Sequence, residues 1–431
     1  MIDIQLIRDD PKGVLKNAKD KGYSVDVDEI LGFDKERREL NVVVEDLRQK
    51  RNKLSSDNKG EKPSEKVLEE GRKIKQELLN NEHRLTSIEL SLEKLLKSVP
   101  NISTKDVPIG ASEAENKVVK EVGNKPKFDF KPKSHAEIAI QRNWLDSKRA
   151  AKVAGSRFVY LKGDLVRLQF AIVQYTIDAL GDQKVIEKIL KDNNLDLKST
   201  PFIPVIPPAL IKTATYEASA RLDAEQVTYK VEQDDLWLNA SAEHSLCTMY
   251  QDEIIPEVEL PIRMIGYSTS FRREAGSYGK DLEGMFRNHQ FDKLEMEVFS
   301  TKETSFEEHL FLVAVQEYLM QQLGLPYQVI MKCTADIGFP NARGIDINTW
   351  LPGQDKYRET HSADYITDFQ SRRLKTRVKR DSGVELVHTN DATAFALSRI
   401  PIAIIENNQT KDGHVNIPKV LQKYLNGQTV I

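Results

Sequence analysis

The sequence predicts an α+β protein in two parts: an N-terminal antiparallel coiled-coil arm, then a larger domain built on an antiparallel β-sheet flanked by helices. Three observations predict it. Two heptad-spaced apolar runs flank a breaker-rich tip, "SSDNKGEKPSE". Short β-like runs then alternate with loops through the second half, with one long amphipathic helix, "FEEHLFLVAVQEYLMQQLG", among them. At 431 residues the chain also exceeds what one hydrophobic core usually serves, so two domains, 1–110 and 111–431, are expected.

Near the start, Asp10 is a good N-cap ahead of Pro11, so a short helix runs from there towards Gly22. Next, Phe33, Arg37, Leu40, Val44, Leu47, Arg51 and Leu54 recur at spacings of four and three. After the tip, Val67, Gly71, Ile74, Leu78, Asn81, Leu85, Ile88, Leu92 and Leu95 form a second seam. Helices of about 25 to 33 residues reach roughly 40 to 50 Å, so this hairpin, about 30–97, projects as an arm. The imperfect seam positions Arg37, Arg51, Gly71 and Asn81 favour a pair within the chain over a higher oligomer. Arg48, Lys50, Arg51 and Lys53 on one helix and Arg72, Lys73 and Lys75 on the other read as a solvated surface or as a ruler for a nucleic-acid backbone.

Composition narrows the function classes. The net charge of −3 gives no global attraction to nucleic acid, so a polyanion must be held by local basic patches. No run of about 18 apolar residues is present to span a membrane. The acidic start, "MIDIQLIRDDPKGVLKN", lacks the basic flank and apolar block of a leader, so a cytoplasmic address is expected. Cys247 and Cys333 form no metal-ligand pairing, so neither a disulfide framework nor zinc is expected.

From Pro100 to Lys133 the chain is rich in Pro, Gly, Lys and Ser and reads as a boundary with an entry strand. Gly163 to Ala179 has helical spacing, "VIEKILKDNNLDLKST" continues it with no function assigned, and "FIPVIPPAL" is extended. Strand candidates follow at "ELPIRMIGYSTSF", "KLEMEVFS" and "PYQVIMKCTADIGF". The glycine-rich phosphate loops that open a helix are missing, so side chains must hold any nucleotide. The stretch from Phe271 to Phe291, "FRREAGSYGKDLEGMFRNHQF", reads as strand, loop and strand, with "MFRNHQFDKLEMEVF" as the second strand. Alternation then puts Arg272 and Glu274 on one face and Arg287, Phe291 and Glu295 on the facing side. Guanidinium groups suit phosphate oxygens, the ring suits a stacked base, and carboxylates suit an amine. A cross-strand ion-pair ladder is the structural alternative.

These stretches carry a resemblance. "FRREAGSYGKDLEGMFRNHQFDKLEM" resembles motif 2 of the seryl-tRNA synthetase family of class II aminoacyl-tRNA synthetases. "FIPVIPPAL" resembles the end of motif 1, with Pro208 at its proline, and "TAFALSRIPIAIIENNQ" resembles motif 3, with Arg399 at its arginine. The arm, "RAAKVAGSRFVYLKGDL", "LNASAEHS" and "YRETHSADYITDFQSRR" fit as well, so the resemblance covers essentially the whole chain.

The resemblance implies a class II catalytic domain that activates L-serine with ATP and transfers it to the 3′ end of tRNA(Ser), with tRNA(Sec) left open as a second acceptor. It implies a homodimer formed through motif 1, and Mg2+ as cofactor. Arg272 would bridge the serine carboxylate and the α-phosphate, Glu274 contact adenine, Phe291 stack on it, and Arg287 and Arg399 hold the outer phosphates. Arg273, Thr360 and His361 belong to the ATP-binding set, and Glu359 and Ser362 would hold the metal. Ser241, Ala242 and Glu243 would receive the serine ammonium group, with Glu295 and Thr393 lining the side-chain pocket. This sequence departs from the family's usual residues at Ser241 (usually Thr), Asp391 (commonly Asn) and Ser398 (frequently Gly). If the arm is the tRNA ruler, deleting residues 40–85 is expected to abolish tRNA charging while largely sparing serine-dependent ATP–pyrophosphate exchange; equal loss in both assays would make the arm structural.

Overall fold

The computed structural model describes residues 1–58, 64–222, 228–273 and 284–431. The chain forms two compact units, Met1–Ile102 and Ser103–Ile431.

In the first unit, two short helices, α1 (Ile4–Asp9) and α2 (Pro11–Asp20), precede the long pair α3 (Val27–Asp57) and α4 (Glu65–Lys97). Asp10 caps α2 through Gly13 N, with Pro11 at its first turn. The heptad seam packs as the spacing predicts: Val44, Leu47, Ile74 and Leu78 form one cluster, with Leu54 and Leu85 at its edge. Arg48 reaches across the hairpin to Glu82 at 2.9 Å, and Arg84 pairs with Glu36. Arg48 and Lys50 are thus already in ion pairs, whereas Arg51, Lys53, Arg72 and Lys75 make none among the described residues.

Heptad spacing did not mark Asp34, whose side chain is fully buried. Arg8 of α1 grips it with two bonds of 2.7 and 2.8 Å, and Arg37 and Arg38 add contacts at 2.9 and 3.3 Å. Arg37 is therefore an imperfect seam residue because it pairs within its own helix. The hydrogen bond from Arg8 holds the Asp34 carboxyl below its ordinary value, against burial. Ionisation is favoured in the fold, so this contribution is present above about pH 4 and fades as pH falls through the depressed pKa. Asp34→Ala is expected to cost the N-terminal unit about 2 kcal/mol at pH 7, screened by the partial exposure of its arginines. Denaturant unfolding should show that deficit shrinking in acid.

In the second unit, the main sheet has strands β1 (Lys117–Val122), β2 (Ile203–Val205), β3 (Ile262–Phe271), β4 (Gln290–Ser300), β5 (Tyr327–Met331), β6 (Arg343–Leu351), β7 (Lys356–Thr367) and β8 (His388–Ala396). Their order is β1-β5-β6-β7-β8-β4-β3-β2. All neighbours are antiparallel except the edge pair β2 and β3, which is parallel. Leu294, Met296 and Val298 of β4 enter the core with Phe311, Leu312, Val315 and Leu319 of the helix Ser305–Leu323. By alternation Phe291, Lys293, Glu295 and Glu297 face the other way. Of the sheet's register shifts, two bear on this polar face. Thr360 is the extra residue of β7 opposite β6, and Ala394 that of β8 opposite β4. Each lets residues three apart share a face, Glu359 with Ser362 and Thr393 with Ala396.

The strand expected over "MFRNHQFDKLEMEVF" starts only at Gln290. Met285 and Phe286 are consecutive and both buried, at 1% and 5% exposure, which a half-buried strand cannot accommodate, and Gly284 has φ +75. Arg287 thus lies on a turn, and its expected alternation with Phe291 and Glu295 is corrected. Glu274 lies outside the described residues. The segment left without a function forms the helix Gln183–Asp192, which buries Ile186, Ile189 and Leu190. Beyond it, the carbonyls of Lys198 and Thr200 accept from the buried Arg263, itself paired with Glu308 at 2.8 Å, so the segment is structural. Cys247 and Cys333 are buried free thiols.

Candidate active site

The polar face of the sheet carries a cavity lined by Arg272, Phe286, Arg287, Phe291, Lys293, Glu359, Thr360, Ser362, Thr393 and Arg399. At its inner wall, behind Lys293 and Thr393, lies a buried cluster of acids. Ser241 Oγ donates to Glu243 Oε2 at 2.7 Å, and Lys293 Nζ lies 2.5 Å from Glu295 Oε2 and 3.6 Å from Glu243 Oε2. Thr393 Oγ1 donates to Glu295 Oε1 at 3.4 Å. The Ser241–Glu243 segment sits over Gly266 of β3, where an added Cβ would lie 3.3 Å from Ala242 Cβ and collide with Leu246. Oxygens of Glu243, Glu295 and Asp391 lie within 4.8 Å of one another.

The two glutamates differ electrically. Burial pushes Glu243 up, but Lys293, His244 and Arg221 prevail and hold it well below the usual carboxylate range. Burial raises Glu295 well above that range, with Lys293 opposing and Glu243 adding to the rise. Behind them, Tyr216 OH meets His244 Nδ1 at 2.6 Å, and His244 Nε2 lies 3.4 Å from Glu243 Oε1. Burial holds His244 down to about 4, so it supports Glu243 as a neutral ring.

The outer end is cationic. Arg272 Nε donates to Ala240 O at 3.1 Å, and its guanidinium lies 5.4 Å from the Phe291 ring centroid. Arg399 pairs with Glu359 at 3.0 Å and lies 5.1 Å from the Phe286 ring, which Arg358 approaches at 4.1 Å. Burial pushes Glu359 up, yet Arg399, Lys332 and Arg272 hold its half-exposed carboxyl at about 2. Together the two ends offer an anion for an ammonium group and fixed guanidinium groups for phosphate or carboxylate oxygens.

Against this geometry, residues 1–103 match the seryl-tRNA synthetase N-terminal domain and residues 229–408 the tRNA synthetase class II core domain (G, H, P, S and T). The serine–tRNA ligase of Nitrosopumilus maritimus is 35% identical, with 100% of both chains covered. The chain belongs to the seryl-tRNA synthetase family. Among solved structures, seryl-tRNA synthetase from Pyrococcus horikoshii complexed with ATP is 36% identical, with a TM-score of 0.88 over 100% of this chain and 99% of that one. Cytoplasmic serine–tRNA ligase from Naegleria fowleri, in complex with AMP, is 29% identical with a TM-score of 0.85, covering 100% and 98%.

Most residues that the resemblance singled out converge here: Arg272, Arg287, Phe291, Glu359, Thr360, Ser362, Thr393 and Arg399 line the cavity, and Ser241, Ala242, Glu243 and Glu295 are buried behind its Lys293 and Thr393 wall. His361 does not join them. The bulge turns it to the core, where its ring meets Phe395 and its Nδ1 bonds Thr360 Oγ1 at 2.8 Å. Arg273 is exposed, over the Tyr229 ring at 5.0 Å. Lys293, Phe286 and Arg221 were missed. The alternation that picked Phe291 and Glu295 also includes Lys293, whereas nothing in the local sequence marks Arg221.

Lys293 separates two buried carboxyls, so Lys293→Met is expected to destabilise the fold by about 3 kcal/mol near pH 8. Without the cation both folded-state pKa values rise, and stability is lost as pH increases through them. Thermal unfolding should therefore show a smaller deficit at pH 5.5; an equal deficit at both values would contradict this electrostatic role.

Proposed function

We propose that this protein is an ATP-dependent ligase that activates L-serine and esterifies it to tRNA(Ser). The observation that carries this reading is an arginine-lined cleft holding Phe291 whose wall residues Lys293 and Thr393 bond directly to the buried acids Glu243 and Glu295 behind them. A small amino acid's ammonium suits Glu243, its hydroxyl suits Glu295 and Thr393, and its carboxylate suits Arg272. Phe291 is available to stack on adenine, with Glu274 as its hydrogen-bond partner. Arg287 and Arg399 take the outer phosphates, with Arg273 flanking the cleft.

In the first step a serine carboxylate oxygen attacks the α-phosphorus, and the bond to the β-phosphate bridging oxygen breaks to release pyrophosphate. In the second, a terminal ribose hydroxyl of the tRNA attacks the activated carbonyl and AMP leaves. Neither step requires a covalent enzyme intermediate, so catalysis is alignment and charge neutralisation. Arg272 is pre-aimed by its bond to Ala240 O, and Arg399 by its pair with Glu359. Glu359 and Ser362 share one face through the Thr360 bulge, and Glu359 stays ionised down to about 2. These oxygen donors fit Mg2+, which when bound would neutralise phosphate charge.

The arm and its cations Arg51, Lys53, Arg72 and Lys75, which make no ion pair among the described residues, favour a tRNA acceptor over a carrier protein. Exposed Ile203 and Ile206 beside the motif 1 prolines support a homodimer through that edge. No helix among the described residues is long and apolar enough to cross a membrane, and a cytoplasmic location fits the role in translation. Acceptance of tRNA(Sec) would follow only if the arm reads features common to both tRNAs. ATP–pyrophosphate exchange with serine, threonine, alanine and glycine in parallel should show serine preferred by at least about a hundredfold over alanine, because the hydroxyl partners would otherwise be buried unpaired. Well-folded protein with no serine-dependent exchange would sink the reading.

A further inference from the structure

Behind the acid-rich pocket, three carboxyls stand in a row across neighbouring strands. Glu297 of β4 is directly opposite Asp391 of β8, and Asp391 is directly opposite Asp364 of β7. All three are buried. Like charges facing each other across a sheet repel, and burial removes the water that would screen them. Among the described residues, Arg221 is the cation in direct contact with the row, with Lys332 acting on Asp364 from further off. Arg221, itself 5% exposed, bonds Asp391 through Nη2 and lies 4.0 Å from an oxygen of Asp364. Its Nη1 lies 4.0 Å from Glu243 Oε1. Neither carboxyl oxygen of Glu297 has a hydrogen-bond partner among the described residues, and burial, Asp391 and Glu243 all push Glu297 upward, so it holds a proton instead of adding a charge.

Arg221 therefore stands beside two of the three carboxyls of the 4.8 Å cluster, Glu243 and Asp391. The contacts are unequal: Asp391 is tightly bonded, while Glu243 keeps its near oxygen for Ser241 and Lys293. Resting on the reading that the pocket takes serine, we propose that Arg221 is a specificity-determining positioning residue: by neutralising Asp391 from behind, it leaves Glu243 as the single anion that receives the substrate ammonium, and so fixes one orientation of the amino acid. Without the guanidinium, Asp391 becomes a second carboxyl free to accept beside Glu243, and both are open to the ammonium. The substrate then binds in more than one register, and the hydroxyl contacts that distinguish serine from alanine are shared among them.

The test is ATP–pyrophosphate exchange by the full-length chain carrying Arg221→Met, Asp391→Asn, or both. Arg221→Met is expected to raise KM for serine about tenfold, leave KM for ATP within about twofold, and narrow the serine-to-alanine preference. The double variant removes both charges and should recover serine KM to within about threefold of the wild type, while KM for ATP stays within about twofold in all three variants, a split that a merely structural role would not produce. Parallel rises in both KM values, or a double variant at least as impaired as the two singles combined, would overturn the proposal. If the single variants do not fold, the double variant decides: near-wild-type serine KM supports it, and a tenfold rise overturns it. Wild-type protein without serine-dependent exchange would instead remove the reading on which it rests.

Discussion

Burial of carboxyl groups on one face of the sheet is the constraint on which the larger unit depends. Among the described residues, Glu295, Glu297, Asp391, Asp364 and Asp346 occupy that face with Glu243 packed over it, and Lys293, Arg221 and Lys332 are the cations among them. Carboxyls outnumber cations, so the face cannot be fully ionised and fully paired at once. The imbalance is met by protons, as burial raises Glu295, Glu297 and Asp346, or by a cationic ligand. A face arranged this way contributes little to stability by itself, since burying charge costs about as much as pairing recovers. It makes the cavity receptive to an ammonium group, whose binding would in turn stabilise the fold.

Backbone irregularity then decides which of these groups meet. A perfectly alternating β7 would point Glu359 and Ser362 to opposite sides, and a perfectly alternating β8 would do the same to Thr393 and Ala396. The bulges at Thr360 and Ala394 bring each pair to the cavity. Both sit on inner strands whose other face is held by the core, so the bulged backbone is fixed by packing. The consequence is a site mounted largely on rigid strands, which suits chemistry that works by alignment.

What was legible in the sequence follows from which signals are local. The hairpin was readable because Val44, Leu47, Ile74 and Leu78 repeat within their own helices. Phe291 and Glu295 were readable because alternation is strict along β4. Arg287 was misassigned because the adjacent buried pair Met285 and Phe286 looks like strand hydrophobicity and is instead a turn tucked into the core. The bulge that sends His361 inward leaves no compositional mark, so a run of "ETHS" was read as one set. Arg221 was illegible for another reason: its partner Asp391 lies 170 positions away and only the sheet's topology joins them.

The two units hold buried charge in opposite balance, and the contrast separates structure from function. In the N-terminal unit a single carboxylate, Asp34, is met by Arg8, Arg37 and Arg38, and its pKa falls. That centre is electrostatically complete and offers no anion to a ligand, so it serves to join the short first helix to the long one. In the catalytic unit carboxyls exceed cations, Glu297 keeps both oxygens unpartnered among the described residues, and its pKa rises. A buried carboxyl with surplus cations is a clasp, whereas buried carboxyls with too few are a vacancy for positive charge. The same residue types thus carry different meanings, and the balance of buried carboxyls and cations around them tells them apart where composition cannot.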